Sequence, residues 1–353
     1  MKKRVRCGRI EIGGTAPISI QSMLNVDTRD IKAAVGQIQR LEEVGCQIVR
    51  LAIPDEEAAA AFGEIKKQVG LPLVADIHFD YRLALAAIKN GADKVRINPG
   101  NIGSRQRVEA VVHAAKERNI PIRVGVNSGS LEKDLLQKYG GPTAEALAQS
   151  ALRNVRILED LNFEDIVISL KSSDVRMNDQ AYRIVDRQSD YPLHIGVTEA
   201  GTVYRGEIKS AVGIGALLLS GIGNTMRVSL TGDPVAEVIT AKKILSAVGL
   251  GAEPIDLISC PTCGRTTVNL EKLCLELERE LAPIGSAREK AGKPPLKIAV
   301  MGCEVNGPGE AAGADLGVAC GKGKGAIFSK GKILKTVEEE KIKEELMRMV
   351  KEK

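Results

Sequence analysis

Eight short apolar runs alternate with helical segments along the first two-thirds of the chain, and this alternation constrains the fold more than any other feature. The predicted strands cover residues 18–22, 47–53, 71–77, 94–98, 121–127, 165–171, 192–198 and 215–220. The segments between them have helical periodicity and often end in Gly or Asn, as helix C-termini do. Such alternation is typical of parallel βα units, and eight units favour a closed TIM-type (β/α)8 barrel. An open doubly wound sheet is the alternative, but neither Gly213-Ile214-Gly215 nor Gly221-Ile222-Gly223 completes a dinucleotide-binding fingerprint.

The strand–helix alternation stops at residues 247–254, where Gly and Pro become frequent and where we place a domain boundary. We therefore predict a barrel domain at residues 1–250 and a small α+β domain at residues 251–353. A net charge of +5, 3% aromatic residues and no Trp do not indicate nucleic-acid binding. No apolar run reaches membrane-spanning length, so we expect a soluble cytoplasmic protein.

Basic residues interrupt strands that otherwise have the composition of buried ones. Five of them lie within or just after predicted strands: Arg50, Arg96, Arg123, Lys171 and Arg227. A buried guanidinium is costly unless an anion meets it, and barrel active sites lie at the C-terminal ends of the strands. If Asp76 and Glu199 supply two carboxylates there, a surplus of three positive charges remains, which resembles the charge of a diphosphate. The alternative is that each arginine makes a structural ion pair, and His78 is equally open to a binding or a structural role.

Three cysteines near the C-terminus have the spacing of a metal site. Cys260 and Cys263 form a Cys-x-x-Cys pair, and Cys303 follows in a Gly/Pro-rich segment. Thiolates select zinc, copper(I) or iron–sulfur clusters. We favour an iron–sulfur cluster, because the three histidines lie far upstream and because a redox dithiol leaves Cys303 without a role. A structural zinc site and a thioredoxin-like dithiol between a strand at 255–259 and a helix at 267–281 stay open.

The other four cysteines fit the pattern of core residues. Cys274 lies on a predicted helical stripe, Cys320 alternates with apolar strand residues, and Cys7 and Cys46 lie beside apolar runs. An odd total of seven cysteines, without a disulfide-like framework, indicates a reducing compartment.

Five motifs together carry a resemblance to a known family. They are APISIQSM at 16–23, VADIHF at 74–79, VRINPGN at 95–101, SCPTCGR at 259–265 and GCEVNGPGEA at 302–311. Nearly end to end, the chain resembles the 4-hydroxy-3-methylbut-2-enyl diphosphate synthase family in its shorter bacterial two-domain form. The resemblance implies a TIM barrel followed by a small α+β iron–sulfur domain. It also implies reductive ring opening and dehydration of 2-C-methyl-D-erythritol 2,4-cyclodiphosphate in the methylerythritol phosphate route to isoprenoids.

The same resemblance implies a set of site residues. A [4Fe-4S] cluster would be held by Cys260, Cys263, Cys303 and Glu310, the carboxylate being a hard and exchangeable ligand among soft thiolates. The substrate's diphosphate would be bound by Arg50, Arg96, Asn98, Arg123, Asn127, Lys171, Arg227 and Ser229. We take Glu199 as the candidate proton donor to the departing oxygen, because a carboxyl among cations can be tuned for that role.

The resemblance also implies partners. Electrons would come from a reduced ferredoxin or flavodoxin, and two chains would form a homodimer in which the barrel of one meets the cluster domain of the other. Lysines 322, 324, 330 and 332 form a candidate basic docking patch, or simply a solvated hairpin. Two rival functions remain: a non-redox barrel enzyme such as a pterin-type synthase, and an electron-carrier or cluster-scaffold protein.

Overall fold

The structure, a computed structural model, describes residues 1–251, 253–304 and 311–353. The chain divides into two compact units, Met1–Leu250 and Gly251–Lys353. No helix in the described ranges is long and apolar enough to cross a membrane.

The first unit begins with a hairpin and continues as a (β/α)8 barrel. The hairpin pairs β1 (Val5–Cys7) with β2 (Ile10–Ile12). The barrel strands are β3 Ser19–Met23, β4 Ile48–Ala52, β5 Leu73–Asp76, β6 Lys94–Ile97, β7 Ile122–Asn127, β8 Ile166–Lys171, β9 His194–Ile195 and β10 Thr225–Met226. The helices are α1 Ile31–Glu43, α2 Glu56–Lys66, α3 Tyr81–Lys89, α4 Pro99–Ile102, α5 Arg105–Arg118, α6 Lys133–Tyr139, α7 Ala144–Glu159, α8 Val175–Gln188, α9 Val203–Leu219 and α10 Pro234–Ala247.

The strands form one parallel sheet that closes on itself. Their order is β8-β7-β6-β5-β4-β3-β10-β9, and a parallel bridge between Ile168 and Leu193 joins β8 to the start of β9. The TIM-type barrel predicted from the alternation is therefore confirmed.

Strand alternation decides what faces the barrel interior. Val49, Leu51 and Val95 belong to the apolar core in which the strands pack against the surrounding helices. Because successive side chains point to opposite faces of a strand, the neighbours Arg50 and Arg96 point inward. The alternation of apolar and basic residues along these strands thus indicates that the barrel interior is polar.

The predicted eighth strand at 215–220 was wrong. Those residues lie at the end of α9, where Ile214, Leu217 and Leu218 are buried on one face and Leu219 is exposed. A short apolar run satisfies either periodicity, and here it continues a helix. The eighth barrel strand is β10, which is only two residues long.

The second unit is a five-stranded mixed sheet with two helices. Its elements are β11 Ile255–Ser259, α11 Leu270–Lys290, β12 Leu296–Met301, β13 Leu316–Gly321, β14 Lys324–Ser329, β15 Lys332–Glu338 and α12 Ile342–Glu352. Strands β11, β12 and β13 are parallel, whereas β13-β14-β15 form antiparallel hairpins. Leu277, Leu281 and Leu346 of the helices share one core cluster with Cys320, and Cys274 packs against it. The predicted α+β class is confirmed.

Candidate active site

The five predicted cations lie on, or directly after, five strands of the barrel sheet. Arg96 and Arg123 are register partners on β6 and β7, and Asn127 and Lys171 are partners at the ends of β7 and β8. Arg50 is the third residue of β4, and Arg227 directly follows β10. The sequence-predicted cations therefore share the interior and C-terminal mouth of one barrel.

Asp76, the last residue of β5, connects three groups of the mouth. One carboxylate oxygen, Oδ1, accepts from Arg96 Nη1 at 3.3 Å, and Oδ2 lies 3.8 Å from Arg50 Nε and 3.4 Å from His78 Nε2. Burial alone raises the pKa of Asp76, but Arg50, His78 and Arg96 outweigh it and hold that pKa well below its ordinary value. Asp76 therefore remains a carboxylate and fixes two guanidinium groups.

Arg50 also contacts a thioether at the rim. Its Nε and Nη2 donate to Met23 Sδ at 3.0 and 2.8 Å, and Arg227 Nη1 approaches the same sulfur at 3.5 Å. Burial lowers the pKa of Arg50 to about 10, with Asp76 acting in the opposite direction. Thioether sulfur is only a weak acceptor, so these guanidinium edges retain capacity for a stronger anionic partner.

Arg123 and Lys171 are also buried, and Asp76 forms its ion pairs with Arg50, His78 and Arg96 rather than with these two cations. Arg123 is 1% exposed, and its Nε and Nη1 have no hydrogen-bond partner among the described residues. Burial lowers the pKa of both groups well below their ordinary values, and the neighbouring cations lower it further. Unpaired buried cations are unfavourable, so this arrangement favours a bound anion.

Two glycines make room for the cations on the barrel wall. A Cβ at Gly125 would lie 2.4 Å from Arg96 Nε, and one at Gly196 would lie 2.9 Å from Lys171 Nζ. Arg96 Nη2 also donates to Gly125 O at 3.3 Å. The absence of a side chain at these positions therefore lets Arg96 and Lys171 pack directly against the strand backbones.

The second buried carboxylate of the mouth is Glu237 on α10, which the sequence reasoning missed. Glu237 is 4% exposed and forms an ion pair with Arg227, whose Nη2 lies 3.2 Å from Oε1. Glu199, expected in that role, is exposed. The surplus of three is unchanged, because Asp76 and Glu237 are the two carboxylates set against five cations. A signal existed: Glu237 falls at helical spacing on the buried α10 face with Pro234 and Ala241.

The predicted hydrogen-bonding residues occupy different levels of the barrel. Asn98 follows β6 and is buried, and its Oδ1 accepts from Gly100 N at 3.2 Å at the start of α4. Asn127 ends β7, and Ser229 is half-buried in the segment after β10. Asn224 precedes β10, and its Oδ1 accepts from Leu193 N at 2.9 Å. It therefore lies at the opposite end of that strand from Ser229.

Two non-glycine residues near the mouth adopt left-handed backbone conformations. Glu199, in the segment after β9, has φ 51°, and Phe79, which follows His78 after β5, has φ 65°. Phe79 is 68% exposed. Such conformations cost free energy and cluster at functional sites, so both loops are candidates for contacts with a ligand.

The thiols of the second unit lie at one edge of its sheet. Cys260 directly follows β11, and Cys303 lies two residues after β12. Because β11 and β12 are parallel neighbours, both cysteines lie at the C-terminal edge of these strands, where Gly302 N donates to Cys260 Sγ at 3.2 Å. Cys263 is exposed, and hydrogen bonds from the Arg265 backbone and side chain lower its pKa. Glu310 lies outside the described residues. Within the described ranges, no three Cys, His, Asp or Glu side chains converge in metal-ligand geometry.

The four lysines of the candidate docking patch do not form one surface. Lys322 lies in the turn after β13, at the sheet edge of the thiols, whereas Lys330 lies in the turn after β14. The six residues of β14 separate the two turns by about 20 Å. At the thiol edge Lys324 pairs with Glu338 at 3.4 Å, and Glu339 N bonds Gly323 O at 3.0 Å. The turn at that edge is therefore neighboured by carboxylates, and of the two alternatives the geometry favours a solvated hairpin over a single docking patch.

Family models match both units. A GcpE TIM-barrel domain matches residues 2–242, and a GcpE protein C-terminal domain matches residues 256–352. A 4-hydroxy-3-methylbut-2-en-1-yl diphosphate synthase (flavodoxin) from Caldanaerobacter subterraneus is 57% identical over 356 residues, covering 100% of this chain and 98% of that protein. One of the same name from Clostridium acetobutylicum is 57% identical over 348 residues, covering 99% and 97%.

Solved structures show the barrel fold in more distant proteins. A dihydropteroate synthase from Stenotrophomonas maltophilia has a TM-score of 0.51 at 15% identity, covering 70% of this chain and 98% of that one. A type I 3-dehydroquinate dehydratase from Clostridium difficile has a TM-score of 0.51 at 13% identity, covering 71% and 98%. These likenesses concern the fold alone. The two family models and the full-length relatives show that the chain belongs to the GcpE family.

Proposed function

We propose that the chain is an iron–sulfur oxidoreductase that converts 2-C-methyl-D-erythritol 2,4-cyclodiphosphate to 4-hydroxy-3-methylbut-2-enyl diphosphate. The observation that carries this proposal is the barrel mouth, where, among the described residues, five buried or half-buried cations are set against the two buried carboxylates of Asp76 and Glu237. A diphosphate supplies the missing negative charge. The names of the full-length relatives support the same reaction.

The proposed mode of diphosphate binding follows from which cations already have a carboxylate partner. Asp76 fixes Arg50 and Arg96, so these two present oriented guanidinium edges to the phosphoryl oxygens. Arg123 and Lys171 are also buried, and the diphosphate gives Arg123 Nε and Nη1 the partner that the described residues do not supply. Asn98, Asn127 and Ser229 add neutral donors at the strand ends. Binding thus offsets the free-energy cost of burying these cations.

The reaction is a two-electron reduction. Two electrons and two protons are consumed, the ring C–O bond to the phosphate breaks, and a second oxygen leaves the carbon skeleton as water. A bound [4Fe-4S] cluster supplies electrons one at a time, and the soft thiolates of Cys260, Cys263 and Cys303 suit it. The N–H of Gly302 on Cys260 Sγ is the kind of contact that tunes a cluster sulfur. By the family motif, Glu310 completes the ligand set.

Glu199 is the proposed proton donor to the departing oxygen. Glu199 is exposed in the segment that follows β9, and its backbone adopts a left-handed conformation. Glu199→Gln should lower turnover by about 10²- to 10⁴-fold while leaving diphosphate affinity unchanged. Glu145→Gln, an exposed glutamate of α7, is the matched control. Full turnover in Glu199→Gln refutes this role.

A flavodoxin is the proposed electron donor, as the names of the relatives indicate. The two lysine turns do not form a single docking patch. Of the four lysines, Lys322 and Lys324 lie at the thiol edge of the sheet. Charge reversal at Lys322 should weaken turnover with flavodoxin, whereas reversal at Lys330 should not. Equal effects at both turns argue against docking at the thiol edge.

A homodimer is proposed from an apolar face on α9. Tyr204, Ile208, Val212 and Leu219 are all exposed and recur at helical spacing, so they form one stripe along the helix. Contiguous exposed apolar surface of this kind marks an interface. The homodimer expected from the family resemblance supplies its occupant, a second copy of the chain.

The first test is the iron, acid-labile sulfide and zinc content of protein purified without oxygen. About four irons and four sulfides per chain are expected for the cluster, followed by turnover of the cyclodiphosphate with reduced flavodoxin. Zinc alone contradicts the reductive mechanism. Activity that survives removal of the iron favours a non-redox barrel enzyme, and iron-loaded protein that binds no diphosphate favours an electron carrier.

A further inference from the structure

Glu237 combines deep burial with an unusual number of hydrogen bonds. It accepts from Ser22 Oγ at 2.9 Å, from Arg227 Nε at 3.4 Å and Nη2 at 3.2 Å, and from Leu230 N at 3.1 Å. These donors come from β3 and from the segment after β10. One carboxylate on α10 therefore joins the helix to the two neighbouring parts of the barrel rim.

We propose that Glu237 is a positioning residue that fixes the guanidinium of Arg227 for the substrate's diphosphate, an inference that rests on the proposed function. The carboxylate engages the Nε–Nη2 edge of Arg227, which sets the plane of the group. The opposite side, Nη1, then lies 3.5 Å from Met23 Sδ, the sulfur that Arg50 also contacts. The free edge of Arg227 is thus directed toward the neighbouring cation of the mouth.

The surroundings of Glu237 make it a rigid anchor. The Leu230 N–H and the Ser22 hydroxyl hold the carboxylate independently of Arg227, and Val238 and Ala241 of the same helix are buried beside it. An acid buried to this degree needs several donors, and here they come from β3 and from the segment after β10. Arg227 cannot move far without breaking a contact that the fold itself maintains.

A purely electrostatic role for Glu237 predicts the opposite change in diphosphate affinity. If the carboxylate acted only through its charge, its removal would increase the positive potential of the mouth and tighten diphosphate binding. Glu237→Gln removes the charge but keeps the shape, whereas Glu237→Asp keeps the charge but shortens the reach by one methylene. Positioning requires that both variants weaken binding, because both lose the two-point contact with Arg227.

The test measures the affinity of the full chain for inorganic diphosphate by calorimetry in wild type, Glu237→Gln, Glu237→Asp and Arg227→Gln, and in the double variants. We expect about tenfold weaker binding in each Glu237 variant, the loss of one well-formed charged contact. In the Arg227→Gln background, the Glu237 substitutions should have no further effect. Glu207→Gln is the matched control, a half-buried glutamate on α9 that accepts from Thr240 Oγ1 at 2.9 Å.

Unchanged or tighter binding in Glu237→Gln overturns the inference, and so does an equal loss with and without Arg227. If Glu237→Gln fails to fold, the cycle between Glu237→Asp and Arg227→Gln decides by the same criteria. Wild-type protein that binds no diphosphate contradicts the proposed function itself. If the wild type binds diphosphate and the Glu237 variants bind it equally well, only the positioning role is contradicted.

Discussion

Gly125→Ala is expected to displace the guanidinium of Arg96 without replacing any charged residue. The new Cβ would lie 2.4 Å from Arg96 Nε and 3.1 Å from both Cζ and Nη2. Gly125 has no left-handed backbone angle, so alanine is compatible with the strand and the effect comes from the collision alone. Arg96 is 7% exposed and cannot swing freely into water. The guanidinium must therefore leave its position between Asp76 and the Gly125 carbonyl.

The size of the effect follows from the contacts that are lost. Displacing Arg96 breaks its 3.3 Å contacts with Asp76 and with Gly125 O, and a hydrogen bond to a charged group is worth about 1.5–3 kcal/mol. Loss of one such contact to the ligand weakens diphosphate binding about 10- to 100-fold. Overpacking of the interior costs a further 1–3 kcal/mol or so in the free energy of unfolding, which lowers the melting temperature by about 3–10 °C.

The assay is calorimetric titration of inorganic diphosphate, with thermal unfolding recorded on the same samples. Gly36→Ala is the control, because nothing lies within 4 Å of a Cβ at that position of α1. It should leave diphosphate affinity unchanged and raise the melting temperature slightly, since glycine is unfavourable inside a helix. A Gly125→Ala variant with wild-type affinity and melting temperature would refute the view that this glycine positions Arg96.

Three further predictions concern other parts of the chain. Lys94 is fully buried with no hydrogen-bond partner among the described residues for its Nζ, and burial lowers its pKa from 10.5 to about 8. Between pH 8 and 10.5 the unfolded chain therefore binds more protons than the folded chain, so the free energy of unfolding rises with pH. The cost of burying the charged Lys94 is complete below pH 8 and vanishes above pH 10.5. Lys94→Met should accordingly raise the free energy of unfolding at pH 7 by about 3 kcal/mol. Denaturant unfolding should show this gain shrinking as pH rises to 10, and a gain independent of pH would contradict the assignment. Ile208→Asp on the α9 stripe should convert the dimer to monomers in sedimentation velocity, whereas persistence of the dimer places the interface elsewhere. Cys303→Ser should abolish most iron binding but leave diphosphate affinity intact, and full iron content would remove Cys303 from the ligand set.

Local patterns in the sequence were sufficient for the architecture and for the basic residues of the mouth. Arg50, Arg96 and Arg123 stand inside strands whose other residues are apolar, and strict alternation along a strand makes such residues face inward whatever the surrounding fold does in detail. The βα rhythm likewise predicts a parallel barrel, because each unit depends on short-range periodicity. The run at 215–220 was misassigned because a short, mostly apolar segment fits either the helical or the strand period.

The tertiary structure alone decided the contacts between segments that no local sequence pattern links. Glu237 rather than Glu199 pairs with Arg227, because the packing of α10 against β3 brings its carboxylate to the rim. Gly125 faces Arg96 only through the register of β7 with β6. The lysines that are neighbours in sequence lie at opposite ends of the second sheet, since each hairpin reverses the chain direction. The sequence by itself determined which chemical groups the barrel and the thiol domain carry, whereas long-range packing determined which of them meet.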